Sequence, residues 1–469
     1  MLDQEISNLL AYGQSSLLLD ELDCNQAARR ICNMLKITSF TPMEPTEEAD
    51  VASSPNALLA PILAYAAENK IAGADDGSLK AEIMDAIMLK PSEVNDLFAD
   101  TYSVNKQKAL DWLYDYSVKS GYVDMDECAK NDRWEAKELK SKIEIIINVM
   151  PQAVTDKYPK CALCRENEGY KGRANMRVVS TDIGDEEWIF DYARHQYFDK
   201  QGVIINGEHK KMGSVKETLE KLALAADFVG PEGFVCTDSD YENGGAQNIM
   251  HEHFKTGYRT TPMLRQGYDK RYKSQEYPYI EMGTVDWYST VIRFAHSSLD
   301  KVVEFADKLI SAWKSYSDER IVNDGTKNFY NAVCRKMNGK YYFDIVLRSM
   351  ALKRPRMAAD YDEIKAGALS ITDILGYFVL PTKLSEELKG AQLYLDGTLA
   401  FDVNDKKIPL AKTVERLLKA QGGTVSKLEA KLNIHDEVDA VCEKILASTA
   451  VFDAETLKPF LESLGIREL

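Results

Sequence analysis

A change of texture near residue 141 constrains the fold of this chain more than any other feature of it. Before that point apolar residues recur three and four apart, as in "SLKAEIMDAIM" and "NKQKALDWLYDYSVKSG", which is a helical period. In the second run Leu110, Leu113, Tyr114 and Val118 share a face, and Gly121 stands where a C-terminal cap belongs. "PSEVNDLFADTY" predicts another helix, with Ser92 as N-cap and Glu93 in its first turn, and "EPTEEADVASSP" reads as loop. Beyond 141 the apolar runs become short and β-branched. "KIEIIINVM" is strand-like, and "EEWIFDYARHQYFDKQGVIINGEH" reads as two strands about a D-K-Q-G turn. "VDWYSTVIRFA" and "KYYFDIVLRS" read as further strands. A capping box, Ser214 to Glu217, opens a helix with Val215, Leu219, Leu222 and Ala226 inward, and Val302, Phe305, Leu309, Ile310 and Trp313 stripe another. Residues 401–469 read as helical. Strands in runs beside segregated helices predict an α+β fold with an antiparallel sheet.

The 469 residues exceed what one typical core organises, so two or three domains are expected. A formal net charge of −16 argues against nucleic acid as a partner, but a local basic cluster still permits anionic small molecules. The opening "MLDQEISNLL" is acidic where a secretory signal is basic. The longest apolar run, "ALLAPILAYAA", holds a proline and falls well short of the roughly 20 residues of a membrane span. A cytoplasmic protein with no membrane partner is expected. Eight scattered cysteines are too few for a disulfide scaffold, so most should be buried thiols.

Chemistry concentrates in two places. Cys161 and Cys164 form a C-x-x-C on a tight "KCALCRENEGY" loop, and two thiolates so spaced can hold one tetrahedral ion. Two unrelated core cysteines would look the same. Further ligands must come from six histidines: His195, His209, His251, His253, His296 and His435. Two of these fall in "GGAQNIMHEHFKTG". Residues two apart on a strand share a face, so one imidazole can bind a metal while the other stays free as base or nucleophile. Gly244 and Gly245 just upstream allow the backbone to approach a ligand closely. His195 reads as a strand-surface or packing residue, and His296 and His435 have no partner legible in the sequence. The basic run "YRTTPMLRQGYDKRYK" offers Arg259 or Arg265 to an anion, though a solvated loop explains it equally well.

Taken together, "LKPSEVNDLFADTY", "CALCRENEGY", "RANMRVV", "INGEHKKM", "GGAQNIMHEHFK", "VDWYSTVIRF", "WKSYSDERI", "KYYFDIVLRS" and "ILGYFVLP", in that order, resemble the class II galactose-1-phosphate uridylyltransferases of the histidine-triad superfamily. The resemblance implies a histidine-triad-like antiparallel core. It implies an N-terminal helical region over 1–140, a first half with the metal and nucleophile motifs over 141–290, a second half over 291–400, and a helical C-terminal segment over 401–469. It implies transfer of UMP from UDP-glucose to galactose 1-phosphate by a ping-pong route, with His253 as the nucleophile that carries the uridylyl group. Cys161, Cys164, His209 and His251 match metal-ligand positions for zinc, or iron in its place. Arg173, Asn175 and Arg177 of "RANMR" match a phosphate- or ribose-binding segment, alongside Gly244, Gly245 and Lys255. It also implies an oligomer, in the simplest case a homodimer.

Two departures from the family pattern stand out. Lys255 occupies a position where the family carries glutamine, bringing a mobile charge that can grip phosphate or burden the nucleophile. "RPRMAADYDEIKAGALSITDILGYFVLP" lacks the histidines usual before the last motif. They motivate two other readings: a histidine-triad phosphorylase, hydrolase or transferase with another nucleotide or acceptor, and a catalytically silent paralogue that binds nucleotide sugars.

Overall fold

The computed structural model describes residues 2–47, 49, 52–136, 140–148, 161–241, 244–245, 250–258, 261–321, 324–352, 368–405 and 407–469. Arg259 and the whole of the histidine-poor "RPRMAADYDEIKAG" stretch lie outside the described residues.

The fold is α+β, as the sequence predicts. Its strands, in chain order, are β1 (Asp132–Glu135), β2 (Glu144–Ile147), β3 (Val179–Ile183), β4 (Glu186–Tyr192), β5 (Gly202–Asn206), β6 (Gly233–Cys236) and β7 (His253–Tyr258), then β8 (Tyr268–Ser274), β9 (Glu281–Val285), β10 (Val291–His296), β11 (Asn328–Met337), β12 (Lys340–Ser349), β13 (Tyr377–Leu380) and β14 (Ile466–Glu468). Eleven of them form one sheet in the order β14-β8-β9-β10-β12-β11-β6-β7-β5-β4-β3, with antiparallel pairing throughout, while β1, β2 and β13 form a small second sheet.

The large sheet buries both faces. Alternation along a strand sends Val235, Ala332, Cys334, Phe343 and Ile345 to one core, shared with the N-terminal helices and the helices Val215–Val229 and Leu299–Ser315. Phe234, Cys236, Val333 and Val346 point the other way, into a core shared with the small sheet and the helices Thr382–Leu395, Ala411–Gln421 and Lys427–Ala447. This two-sided burial explains why the central strands read as continuous apolar runs and not as an alternating pattern.

Several local expectations change. The helix Pro91–Val104 takes Lys90 as its N-cap: Glu93 accepts from the Lys90 N–H at 2.8 Å, and Pro91 fills the first helical position, which needs no donor. "VDWYSTVIRFA" divides into the end of β9, a turn, and β10; Trp287 leaves the sheet to donate to the Ile374 carbonyl at 2.9 Å. The C-terminal segment ends in a strand, β14, paired antiparallel with β8. Among the described residues no helix is long and apolar enough to cross a membrane.

Candidate active site and metal cluster

The register of β5 on β7 builds the site. Ile205 pairs with His253, so the chain leaving β5 and the chain entering β7 lie side by side. His209 follows the first and His251 precedes the second, outside the strand itself. The Cys161–Cys164 turn, closed by a Cys164 N–H to Cys161 carbonyl bond of 3.2 Å, brings both thiols to the same point. The ligand atoms of Cys161, Cys164, His209 and His251 all fall within 4.8 Å of one another. Cys161 Sγ lies 3.5 Å from Cys164 Sγ and 3.3 Å from His251 Nδ1, and Cys164 Sγ lies 3.1 Å from His209 Nδ1. A tetrahedral ion held by sulfur at about 2.3 Å and nitrogen at about 2.1 Å needs ligand separations of roughly 3.3–3.8 Å; the donor set fits such an ion in chemistry, and its separations, from 3.1 Å to at most 4.8 Å, bracket that range.

The ring of His251 is oriented from behind. Its Nε2–H donates to the Asn206 carbonyl at 2.8 Å, which leaves the Nδ1 lone pair facing the thiols. Burial pushes the His251 pKa down, favouring the neutral imidazole a metal requires. Between the two histidines, Glu252 is fully buried and accepts from Asn206 Nδ2 at 2.8 Å and from Lys221 at 3.0 Å. Lys221 also meets Glu186, which takes Lys210 as well; these contacts outweigh its desolvation and hold Glu186 down at about 2. Sequence reasoning assigned no role to Glu252 or Lys221, because an acidic residue and a helical lysine read as solvated surface.

His253 opens β7. The next residue, Phe254, is buried and stacks on Trp188 at 5.3 Å, a burial worth about 2–3 kcal/mol, and this anchors the strand. His253 and Lys255 therefore look to the opposite face. The Nδ1–H of His253 donates to the His251 carbonyl at 2.7 Å, which turns Nε2 toward the opposite side of the ring, where Asp238 Oδ2 lies 3.6 Å away. His253 borders a cavity of about 420 Å³ lined by Lys211, Ser214, Thr237, Asp238 and Lys314, among others. Ser214 caps the helix Val215–Val229, so that helix's positive end faces the same space, as an anion site would need.

Lys255 does not border this cavity. Its ammonium lies 2.8 Å from Asp238 Oδ1, and Asp238 Oδ2 lies 3.6 Å from His253 Nε2. Burial works to raise the Asp238 pKa, but Lys255 and His253 outweigh it and hold the carboxyl below its usual range. Asp238 was missed from sequence; it sits 15 positions before His253 and carries no motif.

The structure places the other expected residues elsewhere. Arg177 is buried and donates to Asp85 at 2.7 Å and to the carbonyls of Leu89, Ala174 and Met176, while Asn175 donates to the Ser120 carbonyl. Arg173 donates to the Ala162 carbonyl at 2.8 Å, behind the cysteine turn. Arg177 and Asn175 tie this segment to the N-terminal helical region, Arg173 ties it to the cysteine turn, and none of the three borders the His253 cavity. A side chain on Gly244 would meet Ser239 Oγ at 2.1 Å, and one on Gly245, at φ +89°, would meet the Leu369 carbonyl at 2.3 Å. The glycine pair therefore serves close chain packing. His435 stacks on Trp134 at 4.0 Å, and His296 Nδ1 accepts from the Ser298 N–H.

An imidazole at the start of a strand of an antiparallel sheet, beside a two-cysteine, two-histidine cluster and a cavity lined by lysines, marks the arrangement of a group-transfer enzyme. No protein-family model matches the chain. In sequence the chain is similar to galactose-1-phosphate uridylyltransferases over nearly its whole length. It is 27% identical to that of Bacillus subtilis, covering 99% of this chain and 98% of the relative. The corresponding protein of Halalkalibacterium halodurans is 26% identical over 96% of this chain and 95% of its own, and galactose-1-phosphate uridylyltransferase 1 of Streptococcus pneumoniae is 27% identical over 83% and 85%. Among solved structures, yeast Ap4A phosphorylase Apa2 aligns with a TM-score of 0.39 at 12% identity, covering 62% of this chain and 91% of that one.

Proposed function

We propose that this chain is a uridylyltransferase that moves UMP from UDP-glucose to galactose 1-phosphate, working in the cytoplasm and with zinc in its Cys161–Cys164–His209–His251 cluster. The single observation that carries the reading is the state of His253. Its Nδ1–H is spent on the His251 carbonyl, and its Nε2 faces the wall of a cavity with cationic and helix-terminal groups, 3.6 Å from Asp238 Oδ2. Neutral imidazole is both a good nucleophile at phosphorus and a good leaving group, so one difficult displacement becomes two easier ones.

In the first half-reaction Nε2 attacks the α-phosphorus, a P–N bond forms, the bridging P–O bond breaks, and glucose 1-phosphate departs with the electron pair. In the second, a phosphate oxygen of galactose 1-phosphate attacks the same phosphorus, the P–N bond breaks, and UDP-galactose leaves neutral imidazole behind. Lys211, Lys314 and the helix end at Ser214 are placed to meet phosphoryl charge. Bound zinc would supply no chemistry to the substrate; it would brace the loop whose carbonyl at His251 orients the nucleophile. The family names of the relatives support the donor and acceptor classes. The same reading carries an expectation of a homodimer. Incubation with UDP-glucose and galactose 1-phosphate tests it: UDP-galactose and glucose 1-phosphate should appear in equal amounts, and absence of both would refute it.

A further inference from the structure

We infer that Asp238 and Lys255 act as one positioning unit, in which Lys255 neutralises the carboxylate that would otherwise repel substrate phosphate from His253. The inference rests on the uridylyltransferase reading and deepens it.

Three observations carry it. Asp238 borders the His253 cavity while Lys255 does not. Lys255 is only 15% exposed and its Nζ is engaged with Asp238 Oδ1 at 2.8 Å. The second carboxylate oxygen, Oδ2, sits 3.6 Å from the reacting nitrogen, Nε2 of His253. The phosphorus must come within bonding distance of that nitrogen, so its oxygens must pass close to Asp238. Like charges a few ångström apart in a water-poor pocket repel strongly, and only a cation held against the carboxylate removes the obstacle.

Lysine in place of glutamine is therefore no handicap by itself. It is matched to an acid across the strand pair: β6 ends at Cys236, opposite Lys255, and Asp238 lies two residues further on. A glutamine at 255 would leave Asp238 without its cation. An asparagine at 238 together with a glutamine at 255 would form a neutral pair of similar shape.

The test is a double-mutant cycle in the full-length, metal-loaded protein, reading UDP affinity by calorimetry. Lys255→Gln should weaken UDP binding about tenfold or more. Asp238→Asn with Lys255→Gln should return affinity to within about threefold of wild type, and Asp238→Asn alone should bind UDP at least as tightly as wild type. Unchanged affinity in Lys255→Gln overturns the inference. So does a double variant as weak as Lys255→Gln, because Lys255 would then grip phosphate itself, and so does loss of UDP binding in Asp238→Asn or its absence in wild type. Should Lys255→Gln fail to fold, Asp238→Asn and the double variant still decide, since neither leaves a lone buried carboxylate. Uridylyl transfer is assayed separately: a wild type that binds UDP but transfers no UMP defeats the uridylyltransferase reading and leaves the binding cycle to judge the pair.

Discussion

His251 and His253 are joined by one hydrogen bond that divides labour between them: the His253 Nδ1–H donates to the His251 carbonyl at 2.7 Å, while the His251 ring turns its own Nδ1 to Cys161 Sγ at 3.3 Å. The backbone of His251 thus sets the tautomer of His253. What braces His251 also braces His253.

Removing the nucleophile should remove the chemistry without harming the fold. His253→Ala is expected to lower UMP transfer by about three orders of magnitude or more, with a melting curve close to wild type. Retained turnover in that variant would take the role away from His253.

Removing a thiol should couple metal loss to instability. Cys161→Ser is expected to lower bound metal, measured by elemental analysis, and to lower the melting temperature in the same preparations, because metal binding contributes to folding. Full stability with the metal gone would contradict the bracing role.

The buried acid between the histidines should matter for both. Glu252→Ala removes the buried one of the two carboxylates that Lys221 and Asn206 share, Glu186 being the other, and is expected to cost about 2 kcal/mol in denaturant unfolding. It should also weaken metal affinity about tenfold, through the loosened Asn206 support of His251. A variant indistinguishable from wild type in both would make the network incidental.

Much of this site was legible in the sequence, for a physical reason. A C-x-x-C is a local motif, and with so few histidines the remaining ligands had few candidates; Cys161, Cys164, His209 and His251 do converge. Asp238 and Glu252 were hidden because their partners lie on other strands and helices, and an acidic residue in isolation reads as surface. Arg177 and Asn175 carry a phosphate-like pattern, yet the fold spends their donors on Asp85 and the Ser120 carbonyl. In the fold, helical periodicity located the N-terminal helices and β-branched runs located β2 and β12, whereas three-residue β14 is too short to leave any period. "VDWYSTVIRFA" misled because its apolar residues serve two strands and a tryptophan anchor in succession.

One pH effect lies away from the site. Asp191 is fully buried, accepts from Tyr122 at 3.0 Å, and is pushed up to about 8 by desolvation. The folded state therefore holds a proton that the unfolded state releases near pH 4. Its contribution is complete below that value and is lost as pH rises toward about 8. Asp191→Asn, which stays neutral, should raise stability at pH 8 by on the order of a few kcal/mol and change little at pH 4. Chemical denaturation at the two pH values measures it, and an equal effect at both would contradict the assignment.

The most direct test of the central claim is intact-protein mass spectrometry after brief incubation of the metal-loaded protein with UDP-glucose alone. The account predicts a mass increment of one uridylyl group per chain, absent from His253→Ala and discharged on addition of galactose 1-phosphate. No increment on the wild type, or an increment that survives in His253→Ala, would contradict it.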